Sequence, residues 1–172
     1  LAEEGIATFR YQFPYMEKGS KRPDPKPLLL ATVRSAISTT SKLIDGIQLL
    51  AGGKSMGGRM TSMAAAEEPL TNVRGLVFFG FPLHPAGQPS TERADHLQKV
   101  NVPMLFLQGT RDTLADLKLL KPICTKLGKR ATLHNIDGAD HSFHVLKSSG
   151  GSDESVLDEL AYTTRAWTET NC

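Results

Sequence analysis

Apolar residues in this chain fall into two patterns. Four short, near-continuous runs have the length and character of strands buried on both faces: Ile47–Ala51 (IQLLA), Val73–Phe79 (VRGLVFF), Pro103–Leu107 (PMLFL) and Ala131–Ile136 (ATLHNI). Elsewhere apolar residues recur every three or four positions, which is the helical period. That spacing predicts a helix from Pro27 to about Leu43, with Leu28, Leu29, Val33, Ala36 and Ile37 on one side and Gly46 closing it. It predicts a second helix from Met56 to Glu67, stopped by Pro69, and a last one over Ser152–Thr170 presenting Val156, Leu157, Leu160 and Trp167.

The remaining segments read from local chemistry. Ile6–Phe13 (IATFRYQF) is rich in β-branched and aromatic residues and predicts a further strand. Pro14–Pro27 holds four prolines and reads as a surface loop. A short helix is expected over Thr91–Lys99, and a helix over Leu114–Leu127 broken near Pro122. Gly80–Pro89 and Asp137–Val145 are loops at strand ends, and Gly150 with Gly151 reads as a joint. Strands alternating with helices predict an α/β fold, a mostly parallel sheet covered by helices on both faces. One domain spans residues 1–172, with no segment long enough for a separate lid.

Leu1–Glu4 followed by Gly5 looks like the last turn of a helix and its cap, and neither an initiator methionine nor a signal-peptide pattern precedes it. The expectation is therefore a chain that lacks its first strands. Composition narrows little further. The 172 residues carry a net charge of +2 with signs interspersed, so no basic block points to nucleic acid. No run reaches membrane-spanning length. Two cysteines, Cys124 and Cys172, make neither a disulfide framework nor a metal cluster. No cofactor or metal is expected, and a reducing, cytoplasmic setting is the default.

The chemistry centres on GGKSMGG, where the first apolar run turns into a helix. Gly53, Ser55 and Gly57 form a Gly-x-Ser-x-Gly elbow, in which the serine takes a strained backbone position and its flanking glycines are expected to leave no room for a Cβ. Gly52 and Gly58 extend that demand. GGKS also resembles the end of a phosphate-binding loop, but that motif needs glycine at position 48, where Gln48 stands. In parallel sheets, ligands bind beyond the carboxyl ends of the strands. Past the third run lies Asp112, and past the fourth lies His141 in GADHSFH. Serine, acid and histidine in that order suit a nucleophile, its base and the group that orients the base. Met56 N–H offers one oxyanion donor. His144 is the rival base; Asp116 sits too far into its helix to be the acid at the strand end, and Asp140 reads as a turn residue. His84 and His96 read as pocket or surface residues, and His134, within a strand, as a structural one. Phe13 and Tyr15 at one strand end, with Phe81, Leu83 and His84 at another, are expected to line a shallow pocket. Lys54, Arg59 and Arg111 would favour an acidic substrate.

GGKSMGGRM, LFLQGTRDTL and DGADHSFH together resemble the compact α/β-hydrolases of the dienelactone-hydrolase-like kind, over nearly the whole chain. The resemblance implies Ser55 as nucleophile, Asp112 as acid and His141 as base. It implies a serine hydrolase of small soluble esters, with serine where dienelactone hydrolase has cysteine. It also implies a glycine-rich loop before Leu1 that would carry the second oxyanion donor. A non-catalytic interaction module on the same fold is the alternative reading.

Overall fold

All four apolar runs become strands of one parallel sheet. The computed structural model describes residues 1–44, 46–146 and 151–172. Strand β1 is Leu49–Lys54, β2 Val73–Phe79, β3 Met104–Gly109 and β4 Ala131–Ile136, ordered β1-β2-β3-β4 with every neighbour parallel. All six residues of β3 are buried, which is why its sequence is apolar without alternation.

The connections determine the layers. Each crossover steps to the next strand in the same direction, so right-handed connections deliver their helices to one face. These are α3 (Met56–Glu67), a 3₁₀ helix (Glu92–Lys99) and α4 (Leu117–Leu127). They bury Leu76, Phe78 and Phe106 of the sheet beneath Leu97, Leu120 and Leu127. On the other face Val77, Leu105, Leu107 and Ile136 pack against Val156, Leu160 and Trp167 of α5 (Asp153–Asn171). Helix α2 (Lys26–Leu43) joins Leu29, Leu30 and Val33 to Met60 and Ala64 of α3. The short helix α1 (Pro14–Glu17) interrupts the proline-rich loop. No helix among the described residues is long and apolar enough to cross a membrane.

Four expectations change. Ile6–Phe13 forms no strand, and residues 7–12 are exposed. A strand's backbone needs a partner edge, and this segment pairs with none of the four strands. Pro122 does not break α4: it stands on the exposed face, where water can take the carbonyl its missing N–H leaves free. Leu28 and Leu157 face water at 42% and 62% exposure, while Leu30 and Thr164 take buried places instead. Asp116 is not inside the helix but caps it, accepting the Lys118 N–H at 2.8 Å. Gly150 of the expected joint lies outside the described residues.

The two leucines of α5 give a direct check on which face meets the sheet. Leu160→Ala is expected to cost about 2–5 kcal/mol in urea denaturation. Leu157→Ala is expected to stay within about 0.5 kcal/mol. Equal losses would contradict this packing.

Candidate active site

Ser55 stands between β1 and α3 with φ 52° and ψ −119°, a conformation that non-glycine residues rarely adopt. Its N–H continues the β1–β2 ladder by donating to Phe79 O at 3.1 Å, and its carbonyl accepts the Arg59 N–H at 3.2 Å. Strand and helix thus both hold the residue in its strained position. The glycines that permit the turn are not quite the expected ones. A Cβ on Gly52 would lie 2.0 Å from Val77 O, and one on Gly58 would lie 2.7 Å from Gly53 O. A Cβ on Gly57 meets nothing within 4 Å, so the helix rests on the sheet at Gly58 and Gly57 is free of that constraint.

Asp112 and His141 reach Ser55 from the ends of β3 and β4. His141 Nε2 lies 2.8 Å from Ser55 Oγ, and His141 Nδ1 lies 2.7 Å from Asp112 Oδ2. A carboxylate only accepts, so Nδ1 carries the proton and Nε2 is left to accept from the serine hydroxyl. The Asp112 side chain is fully buried, while that of His141 keeps 21% exposure. The Asp112 carboxylate accepts from two further donors, the Leu114 N–H at 2.7 Å and Gln108 Nε2. Gln108 is fully buried, and its Oε1 accepts the Phe81 N–H at 3.0 Å. Sequence reasoning overlooked Gln108. Its one signal was an amide ending an otherwise apolar strand.

The loop bearing His141 is braced by its neighbours. Asp140 Oδ1 accepts the N–H groups of Ser142 (2.7 Å) and His144 (3.0 Å), making it the turn residue its position suggested. Burial pushes its carboxyl up, but those two backbone bonds, together with the charges of His144 and Arg111, hold it below the usual range. Phe143 takes φ 66° and sinks its ring, 6% exposed, among Val77, Leu105 and Ile136. His144 turns outward to Asp153 at 2.8 Å, and Asp153 also accepts the Val145 N–H at 3.0 Å.

Expected pocket residues divide. Phe13 is buried, and Tyr15 packs beside it with Met56, at the start of α3. Phe81 and Leu83 belong to the main core at 1% and 0% exposure, which leaves them no open surface for a ligand. His84 borders a cleft of about 560 Å³ beside Asp112, but both ring nitrogens are engaged. Nδ1 meets Pro85 O at 2.9 Å, and Nε2 accepts the Asp116 N–H at 3.1 Å. Arg111 is exposed and donates to Gly138 O. His134 pairs with Glu159 at 2.7 Å on the surface.

A family model described as an alpha/beta hydrolase domain matches residues 1–169. Among solved structures, a putative alpha/beta hydrolase of Agrobacterium tumefaciens aligns at TM-score 0.67 and 20% identity, covering 98% of this chain and 74% of that one. An alpha-beta serine hydrolase homologue of Coxiella burnetii aligns at TM-score 0.64 and 17% identity over 84% of this chain and 62% of its own. A serine hydrolase without lid from Xanthomonas campestris aligns at TM-score 0.62 and 20% identity over 86% and 61%. The chain thus spans about three fifths of the length of those last two proteins.

One histidine outside the relay carries a pH signature. His96 Nε2 lies 2.7 Å from Ser62 Oγ, and its ring packs near that of Phe81. Burial first, then the charges of Arg59 and Lys26, push its pKa down from 6.5 to about 4, against a smaller opposing effect of Asp95. The folded state therefore binds fewer protons here than the unfolded state between those two values. The His96 contribution to stability is whole above pH 6.5 and is lost as pH falls toward about 4. His96→Gln is expected to flatten this part of the denaturation-midpoint profile. An unchanged slope would contradict a buried neutral imidazole.

Proposed function

The chain belongs to the alpha/beta hydrolase domain family, and on that premise we propose that it is a serine hydrolase cleaving small acyl substrates, foremost carboxylic esters, through an acyl-enzyme on Ser55. The observation that carries this reading is the relay from Ser55 Oγ through His141 to the buried Asp112, at 2.8 and 2.7 Å. A serine hydroxyl is a weak nucleophile until its proton has somewhere to go. His141 Nε2 takes that proton as Oγ attacks the ester carbonyl, and the Asp112 carboxylate stabilises the imidazolium that forms. The carbonyl oxygen becomes an oxyanion next to the start of α3, where the Met56 N–H is a donor free of an intrahelical partner. His141 then returns its proton to the leaving alcohol. Water repeats the sequence on the acyl-enzyme and frees the acid.

Buried Gln108 and the Leu114 N–H hold the Asp112 carboxylate aimed at His141, so the relay is set before substrate arrives. Tyr15 and Met56, half-buried beside the elbow, offer the apolar surface on which a short acyl chain would rest. His144 has a partner of its own and no part in the transfer.

Hydrolysis of p-nitrophenyl acetate separates the roles. Ser55→Ala and His141→Ala are each expected to lower kcat roughly ten-thousand-fold or more. His144→Ala breaks only an exposed pair and is expected to stay within about fivefold. Equal losses in the two histidine variants would overturn His141 as the base.

A further inference from the structure

Where α3 meets the 3₁₀ helix, the surface carries charge that the relay does not use. The Ser62–His96 contact pins the two helices together at 2.7 Å. One turn back on α3 stands Arg59, whose carbonyl accepts the Ser62 hydroxyl at 2.9 Å. One 3₁₀ turn back from His96 stands Arg93, on the same side of a helix with three residues per turn. Both arginines are half-buried. Arg59 Nε is sealed from water with no hydrogen-bond partner.

No ion pair among the described residues supplies either cation with a counter-charge. Among the described residues the ion pairs of Lys and Arg engage Lys26, Arg34 and Arg165, and none engages Arg59 or Arg93. Glu92 and Asp95 lie exposed on the same 3₁₀ helix and pair with neither. The guanidinium groups feel each other: burial, and next the charge of Arg93, lower the pKa of Arg59. Like charges held together in partly dry surroundings are costly, and an oxyanion relieves them. Guanidinium forks match the oxygens of phosphate in pairs.

We propose that Arg59 and Arg93 form a binding site for a phosphate group, between α3 and the 3₁₀ helix and one helical turn from Ser55. Side chains on a helix lean toward its N-terminus, which for Arg59 is the direction of Ser55. A phosphate borne by an ester would thereby be held beside the nucleophile. That consequence rests on the hydrolase reading, whereas the site itself rests on the helix packing.

The test is a titration of the full chain with inorganic phosphate in low chloride, followed by calorimetry. Saturable binding is expected at about 1 mM or tighter, weakened about tenfold or more by Arg59→Gln and by Arg93→Gln. Lys129→Gln, in the exposed turn before β4, is expected to leave it unchanged. Circular dichroism checks each fold, and Arg93→Gln decides the matter if Arg59→Gln fails to fold. No saturable binding below about 10 mM, or binding that the arginine variants retain, overturns the site. Two further outcomes both keep it: phosphate that competes with ester turnover marks a group of the substrate, and phosphate that binds without competing marks a free ligand. Binding is read without turnover, so an inactive protein that binds phosphate defeats only the hydrolase reading.

Discussion

Everything at this site depends on one strained residue. Ser55 occupies a positive-φ position that costs about 1–3 kcal/mol for a side chain with a Cβ, and the surrounding structure offsets that cost. Its N–H is tied to β2 and its carbonyl to the second turn of α3. The helix can come that close because Gly58 rests against Gly53 O, and β1 lies close to β2 where Gly52 meets Val77 O. The result is a hydroxyl lifted above the sheet's carboxyl edge, where the later strands deliver their own polar residues.

The same sheet positions Asp112 and His141. A buried carboxylate is tolerable only with its oxygens satisfied, and Asp112 receives donors from Gln108, Leu114 and His141. Gln108 in turn holds the Phe81 N–H, which joins the acid to the loop leaving β2. The histidine sits on a loop that would otherwise be the least constrained of the three. Asp140 closes it from within, Asp153 holds it from α5, and Phe143 anchors it in the core despite an unfavourable φ. Packing on both faces of the sheet therefore converges on a hydrogen-bonded line of three side chains.

How much of this was legible beforehand follows from what each signal measures. Continuous apolar runs located all four strands, Val73–Phe79 and Ala131–Ile136 with the expected bounds, and the helical period located Met56–Glu67 with its bounds. The chain order of Ser55, Asp112 and His141 carried the site, since all three lie just beyond strand ends. Ile6–Phe13 misled because propensity records what a strand tolerates, not whether a partner edge exists. Phe81 and Leu83 misled because a loop at a strand end can fold back into the core as readily as line a pocket. Gln108 left only the faint signal of an amide in an apolar strand, and the spare space at Gly57 left none, for each depends on how the fold arranges distant atoms.

The central claim is that Ser55 is a nucleophile primed by His141. A fluorophosphonate probe followed by peptide mass spectrometry tests it most directly, because the reagent is attacked only by an activated serine. The account predicts one adduct, on the peptide containing Ser55, absent in Ser55→Ala and strongly slowed in His141→Ala. A folded chain that acquires no adduct, or acquires it equally without His141, would contradict it.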